Sequence, residues 1–221
     1  MFAQSRLIWL LLKTRTTLNA PYSKTRFWIV VSILVVGFVT ISIWMLDRIA
    51  SPPVTTQIHV SPTPLDWRTF VSTELRFSIL FPRKPKESTE TTTNRVGLML
   101  VRQYYSELGR ATAYGVSVGD LPLTNKFSEE QIEIMLDAGR NEALGTDGKL
   151  VAERKITLGP NLGREFDMEK LGGKAFVKAR VYYVEGRIYT LTTVGSSRER
   201  VLQNASRFLD SFKLIESPTN K

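Results

Sequence analysis

Apolar and polar residues alternate along most of the chain after residue 67, a pattern that predicts a mostly antiparallel β-sheet. Turn dipeptides such as Leu108-Gly109 and Asp147-Gly148 separate the alternating runs. The runs lie at 77–81, 95–105, 111–118 and 150–158, and three more strands are predicted within 163–194.

Two segments with helical periodicity interrupt the strands. Ser128-Glu-Glu-Gln131 has the composition of a capping box and predicts a helix that runs to about Leu144 and stops at Gly145. Ser196-Ser-Arg-Glu199 predicts the start of a second helix in the same way. The residues expected to face the core are Ile132, Met135, Leu136, Ala143, Val201, Leu202, Ala205, Phe208, Leu209 and Phe212. The predicted fold class is therefore α+β, an antiparallel β-sheet with helices packed on it.

The Gly172-Gly173 dipeptide is a strong signal for a two-residue hairpin turn, and it sets the register of the strands on either side. The register matches apolar with apolar residues and acids with bases: Met168–Val177, Phe166–Ala179, Asp167–Lys178 and Glu165–Arg180. A slip of one residue would set carboxylates against apolar side chains.

The following turn, Val184-Glu185-Gly186, is predicted to close with three residues. A two-residue turn would force Glu185 to a positive φ, whereas a three-residue loop puts only Gly186 there. The expected pairs on the core face are then Val181–Tyr189 and Ala179–Leu191.

Three carboxylates, Glu165, Asp167 and Glu169, share one face of the first hairpin strand. Glu165 and Asp167 have cross-strand cations in the predicted register, whereas Glu169 lies opposite Phe176. Cross-strand charge pairing is common, and calcium loops space their ligands differently. The pattern favours ion pairs on a solvated or half-covered face, and a metal-binding or catalytic stripe is the alternative.

The segment Pro82-Arg-Lys-Pro-Lys86 sets three basic side chains, Arg83, Lys84 and Lys86, in one turn. Such a turn suits contact with an anionic polymer or with lipid headgroups. It is also typical of a strand end at which charges discourage edge pairing, the interpretation that we favour.

The segment from Phe27 to Leu46 is 20 residues long, apolar and uncharged, which is long enough to cross a bilayer as a helix. Trp28 and Trp44 lie near its ends, as aromatic residues do at membrane interfaces. Five basic residues and no acid precede it, which predicts a cytoplasmic N-terminus and an uncleaved signal anchor.

These features divide the chain into five segments. They are a basic cytoplasmic tail (1–26), a transmembrane helix (27–46), a Pro/Ser/Thr-rich linker (47–66), an extracytoplasmic α+β domain (67–216) and a tail (217–221). The linker composition predicts an extended, hydrated chain.

The amino-acid composition excludes several kinds of functional site. The chain has no cysteine, which excludes disulfides, thiolate metal sites and a cysteine nucleophile. Its single histidine, His59, lies in the linker, and catalytic bases are most often histidines, so we expect neither an enzyme nor a cofactor. Residues 1–48 hold six basic and one acidic side chain, a large part of the net charge of +9, so the domain lacks the strong basic charge of a nucleic-acid binder.

Four short motifs resemble the pattern of PsbP-like domains, which occur as photosystem accessory proteins and as secreted or membrane-tethered bacterial proteins. The motifs are Phe77-Ser-Ile-Leu-Phe-Pro82, Gly163-Arg-Glu-Phe166, Arg187-Ile-Tyr189 and Phe208-Leu-Asp-Ser-Phe212. The resemblance covers about residues 67–215 and implies an α/β sandwich with a non-enzymatic accessory or binding role. It transfers no functional residue.

The sequence thus predicts a single-pass, membrane-anchored extracytoplasmic binding or accessory module with an envelope protein as its partner. Two alternatives stay open. One is an enzyme that uses the carboxylates Glu165, Asp167 and Glu169, with or without a divalent cation. The other is a sensor for a small ligand.

Overall fold

The computed structural model describes residues 65–94, 97–109, 112–121 and 127–215. The predicted cytoplasmic tail, the predicted transmembrane helix, the linker up to residue 64 and the C-terminal tail lie outside these residues. Within the described part, no helix combines the length and the apolar character needed to cross a membrane.

The described strands form two antiparallel sheets. The strands are β1 (Arg68–Ser72), β2 (Phe77–Phe81), β3 (Lys86–Asn94), β4 (Gly97–Leu108), β5 (Thr112–Asp120), β6 (Lys149–Leu158), β7 (Asn161–Lys170), β8 (Ala175–Val184), β9 (Arg187–Gly195) and β10 (Lys213–Leu214). The small sheet has the order β1-β2-β10 and the large sheet has the order β3-β4-β5-β9-β8-β7-β6. With the helices α1 (Glu129–Leu144) and α2 (Arg198–Leu209), this is the α+β architecture that the sequence predicts.

Both faces of the large sheet are covered, as the alternation along β8 shows. Phe176 and Tyr182 belong to a cluster that includes α2 and the small sheet. Val177 and Ala179 point to the other face and pack with Ala143 of α1. The sheet is therefore the middle layer of a sandwich, with the two helices on opposite faces.

Aromatic rings join the small sheet to α2 and to the large sheet. Phe81 of β2 lies 5.3 Å from Phe208 of α2, measured between ring centroids. Phe212, just after α2, stacks on Phe77 of β2 and on Tyr182 of β8 at 5.8 and 6.0 Å. Such contacts stabilise a core beyond the area that they bury.

The capping box predicted for α1 is present. The amide of Gln131 donates to Ser128 Oγ at 3.3 Å, and the Gln131 side chain accepts from the Ser128 amide at 2.9 Å. The helix ends where it was expected, since the amide of Gly145 closes the last turn on Asn141 O.

The start of α2 differs from the prediction by one residue. Ser197, not Ser196, caps the helix by accepting a hydrogen bond from the Arg200 amide at 3.4 Å. Leu202 was expected to face the core, but it is 40% exposed. The buried stripe runs through Val201, Ala205 and Phe208, and Leu202 lies about 100° around the helix from Val201.

The predicted β7–β8 register is confirmed. Glu165 pairs with Arg180, Asp167 with Lys178 and Glu169 with Phe176. The predicted two-residue turn is longer in the structure: Lys170 and Ala175 form the last pair, and a 3₁₀ turn spans Leu171–Gly173. Leu171, Gly172 and Gly173 have φ values of 55°, 61° and 85°, a conformation that favours glycine.

The predicted three-residue loop between β8 and β9 is wrong. Val184 pairs with Arg187, so the turn has two residues and Glu185 has a φ of 49°. Tyr189 lies opposite Tyr182 and Leu191 opposite Arg180, one residue away from the predicted pairs. The prediction assumed one core face, whereas this register sends Tyr189 and Leu191 into the cluster under α2.

The sequence analysis did not predict three of the strands: β1, β3 and β10.

β2 is the central strand of the small sheet. The basic turn that follows it, with Arg83, Lys84 and Lys86, therefore does not protect an edge of β2. The predicted run at 111–118 corresponds to β5, and Gly115 is paired within it on both sides.

A buried ion-pair network as the candidate functional site

Glu165 is the centre of the acidic stripe, and both of its carboxylate oxygens are occupied. Oε1 accepts from Arg154 Nε of β6 at 2.9 Å and from Lys178 Nζ of β8 at 3.0 Å. Oε2 accepts from Arg180 Nε at 2.6 Å. The expected cross-strand partner Arg180 is therefore present, and two further cations join it.

Lys178 links Glu165 to the second acid of the stripe. Its Nζ donates to Asp167 Oδ1 at 2.8 Å as well as to Glu165. The side chains of Glu165 and Asp167 are only 7% and 9% exposed, so the solvated face expected from the sequence is a covered one. Buried carboxylates are stable only when cations and hydrogen bonds replace their water, and Lys178 and Arg180 do this here.

Arg180 connects the network on the sheet to the end of α2. Its Nη2 lies 2.6 Å from Oδ1 of Asp210, the residue that ends the helix. Asp210 and Arg154 are both largely exposed, so the network runs from the interior to solvent at two points.

The electrostatics of Glu165 follow from these contacts. Burial alone would raise the pKa of its carboxyl, but hydrogen bonds from Arg154, Arg180 and Lys178 outweigh burial and lower the pKa to about 2. Burial likewise favours a lower pKa for Arg180, and its bonds to Glu165 and Asp210 raise it above the ordinary value instead. Glu165 and Arg180 are therefore both charged at neutral pH.

Glu169, the third acid of the stripe, does not join the network. It pairs in register with Phe176 on β8 and with Lys149 on β6. Within the described residues it forms no ion pair. The structure thus brings together two of the three acids.

A second network lies on the opposite face of the sheet, beneath α1. Arg164 of β7 is 7% exposed, and its Nη2 binds Glu133 and, at 2.7 Å, Asp137, two residues one helical turn apart. Arg140, the next residue on that helix face, donates to both oxygens of Glu153 on β6 at 2.6 and 2.7 Å.

Lys170 completes the attachment of α1 to β7. Its Nζ donates to the carbonyl oxygens of Ala143 and Leu144 at 3.2 and 2.7 Å and to Asp147 Oδ1 at 2.5 Å. The last turn of α1 has no basic residue of its own, so Lys170 supplies the cation that its free carbonyls favour. The bond from Lys170 also holds the pKa of Asp147 below its usual value.

The residues of the predicted basic turn do not belong to either network. Arg83 and Lys84 are exposed in the loop between β2 and β3, and Lys86 begins β3. Lys86 pairs with Glu107 at 3.3 Å and lies 5.8 Å from the ring centre of Tyr105.

Sequence reasoning found Glu165, Asp167, Lys178 and Arg180 of the first network but missed Arg154, Asp210 and the second network. One signal was available, because Glu133, Asp137 and Arg140 recur at helical spacing and form a charged stripe beside the apolar one. The contacts of Arg154 and Asp210 depend on the tertiary fold and carry no local signal. Within the described residues, no group of three acidic or histidine side chains is arranged to hold a metal ion.

Comparison with known proteins gives a fold resemblance. No protein-family model matches the chain, and no curated protein matches it. Among solved structures it is similar to cyanobacterial PsbP from Synechocystis sp. PCC 6803, with 13% identity and a TM-score of 0.47 over 74% of this chain and 99% of that chain. It is also similar to PA94, a protein of unknown function from Pseudomonas aeruginosa, with 11% identity and a TM-score of 0.36 over 69% of this chain and 99% of that chain. The first similarity is a weak resemblance to the PsbP-like fold that the sequence motifs indicated.

Proposed function

We propose that this protein is a single-pass membrane protein whose extracytoplasmic α+β domain is a binding or accessory module for another envelope protein. The observation that carries the proposal is the uncharged 20-residue segment 27–46, which matches the thickness of a bilayer. A proline-rich linker follows this segment and leads to a domain with its own core. A tethered domain of this kind acts by raising the local concentration of what it binds.

The interior charges support a structural role over catalysis. Both oxygens of Glu165 are bonded to cations, and the pKa of about 2 makes this carboxylate a weak base at neutral pH. Asp167 is held by Lys178 in the same network. Groups bonded in this way stabilise the strands and helix that they join.

The membrane topology can be tested directly, because the chain has no cysteine and single-cysteine variants need no background changes. Ser5→Cys reports on the N-terminal tail, and Lys174→Cys reports on an exposed turn of the domain. We expect a membrane-impermeant maleimide to label Lys174→Cys in intact cells and Ser5→Cys only after permeabilisation. Release of the chain from membranes by alkaline carbonate, or the reverse labelling pattern, would exclude the proposed anchor.

The accessory role requires a specific partner. Photo-cross-linking groups placed on the exposed domain surface should yield one defined product with the anchored chain in cells. A secreted form without residues 1–46 is the matched control, and it should give much less product because it loses the local concentration supplied by the anchor. Products that are diffuse, or equal for the two forms, would contradict the role.

A further inference from the structure

We propose that the end of the domain around the β2–β3 turn is a docking surface for anionic lipid headgroups, which lays this end on the membrane. We define the surface as Trp67, Arg83, Lys84 and Arg207 and call it the basic rim. The inference rests on the proposed membrane anchor and adds a second, electrostatic contact between the domain and the bilayer.

Three separate elements meet at the basic rim. Arg68 pairs with Phe81, so Trp67, one residue earlier, lies beside the start of the β2–β3 turn. Phe81 packs on Phe208, which brings the last turn of α2 to the same place. The Arg207 guanidinium lies 4.9 Å from the ring centre of Trp67, a cation–π contact that joins α2 to the start of β1.

The positive charge of the rim is not compensated. Arg83, Lys84 and Arg207 are exposed, and none of them has a carboxylate partner in the described part of the chain. The flanking cations Arg68 and Lys86 are each paired, with Asp66 and Glu107 respectively. Glu87 is an exposed acid next to Lys86, and it accepts a hydrogen bond from the neutral Tyr104 hydroxyl at 3.2 Å. Its one negative charge is smaller than the three positive charges of Arg83, Lys84 and Arg207, so the rim keeps a net positive charge.

The other end of the β1–β2 hairpin shows the opposite arrangement. There, each arginine has an acidic partner: Arg76 with Glu185, Arg102 with Glu74, and Arg187 with Asp120. Free positive charge is thus concentrated at one end of the hairpin, as expected for a surface that meets an anionic layer.

The chain enters the domain at the basic rim. Residues 65–67 lead directly into β1, and only 18 residues, 47–64, separate them from the predicted span. The rim is therefore the end of the domain to which the anchor is attached. Clusters of Lys and Arg attract anionic lipids, and a half-buried tryptophan such as Trp67 suits the headgroup layer.

Single-cysteine variants of the full chain test the docking in reconstituted vesicles. A fluorophore on Ser206→Cys, an exposed position beside Arg207, reports on the rim and keeps all of its cations. One on Thr73→Cys reports on the exposed turn at the other end of β1, about 17 Å along the strand from Arg68. Lipids with a headgroup-linked acceptor then measure the distance of each label from the bilayer. We expect stronger energy transfer from position 206 than from position 73 when the vesicles contain phosphatidylglycerol. The difference should vanish in phosphatidylcholine vesicles, and also when salt is raised from about 0.1 M to about 1 M.

Removal of single charges supplies the matched comparison in the Ser206→Cys background. Arg83→Gln and Arg207→Gln should each lower the ratio of docked to undocked domain roughly fivefold, the effect of one cation at an anionic surface. Lys174→Gln, an exposed cation outside the rim, should leave the ratio unchanged.

The possible negative results exclude different parts of the proposal. Equal transfer from positions 206 and 73 in phosphatidylglycerol vesicles would overturn the docking surface and leave the anchor intact. Docking that occurs only in native membranes would also overturn it, since the occupant would then be an acidic protein. A chain that does not float with vesicles of either composition would overturn the anchor itself.

Discussion

Arg180 lies directly opposite Glu165 across the β7–β8 ladder, and the two side chains meet at 2.6 Å on a covered face of the sheet. Charged groups removed from water in this way depend on each other. Loss of Glu165 would leave Arg180 with only the exposed Asp210 as a partner, and removing one member of a buried ion pair costs about 3–5 kcal/mol in comparable cases. The pair therefore fixes the register of β7 and β8 more firmly than an exposed pair could.

Neutralising Glu165 should destabilise the domain strongly. Residues 65–215 suit this measurement because they include the buried core residues of the described part of the chain. We expect Glu165→Gln to lower the free energy of unfolding by about 3 kcal/mol, because Arg180 and Lys178 lose their shared acceptor. Urea unfolding followed by circular dichroism measures the change.

Glu169→Gln is the control for Glu165→Gln, since Glu169 lies on the same strand and face but forms no ion pair within the described residues. It should change the free energy of unfolding by less than about 0.5 kcal/mol. Equal effects of the two substitutions would show that the network contributes nothing specific to stability.

The contribution of Glu165 should depend on pH in the acid range. The pKa of its carboxyl is about 2 in the folded chain against an ordinary value of 4.5, so the folded state binds its proton less readily. The stabilisation is complete above pH 4.5 and is lost as pH falls toward 2. The difference in unfolding free energy between wild type and Glu165→Gln should shrink by up to about 3 kcal/mol over this window. Urea titrations at successive pH values test this, and a difference that stays constant down to the lowest pH would contradict it.

Two glycine-to-alanine substitutions should have opposite signs. A Cβ on Gly163 would lie 2.5 Å from the backbone oxygen of Val181 and 2.5 Å from Tyr182 Cδ1, so Gly163→Ala forces β7 and β8 apart. It should destabilise the domain by roughly 1–3 kcal/mol. Gly139 lies within α1 with open space around it, so Gly139→Ala should stabilise by about 0.5–1 kcal/mol. The thermal unfolding midpoints of the two variants, measured side by side, test this prediction. A shift of the same sign in both variants would contradict it.

Removing the amine of Lys170 should loosen the end of α1. Lys170→Met keeps most of the buried side chain but leaves the carbonyls of Ala143 and Leu144 without this donor. We expect a loss of about 1–3 kcal/mol. Hydrogen exchange of the amides in the last turn of α1 and in the loop to β6 should be faster. Lys174→Met, at an exposed cation four residues away, should leave the exchange rates unchanged, and equal changes in both variants would argue against the cap.

The β7–β8 hairpin shows what the sequence can predict. Gly172-Gly173 and the charges around it favour one register on both faces, so local pattern and tertiary structure agree. The β8–β9 turn shows where the pattern fails, because a positive φ at Glu185 was judged too costly. Its cost, about 1–2 kcal/mol, is smaller than that of turning Tyr189 and Leu191 away from the cluster under α2. Knowledge that both faces are covered would have been needed to choose correctly.

In the candidate site, too, the sequence predicts some contacts and not others. The pairs Glu165–Arg180 and Asp167–Lys178 follow from the strand register, which the sequence contains. The contact from Arg180 to Asp210 depends on where α2 ends above the sheet, and neighbouring residues in the sequence do not encode it.

The position of β1 determines how the domain responds to mechanical load. β1 is an outer strand of the small sheet, held by five pairs to β2 and by the ring of Phe70, whereas β2 has a paired strand on both sides. A force applied through residue 65 acts first on the pair between Arg68 and Phe81 and then on each following pair. Under such a load we expect β1 to detach first, together with Phe70, while the seven-stranded sheet stays folded.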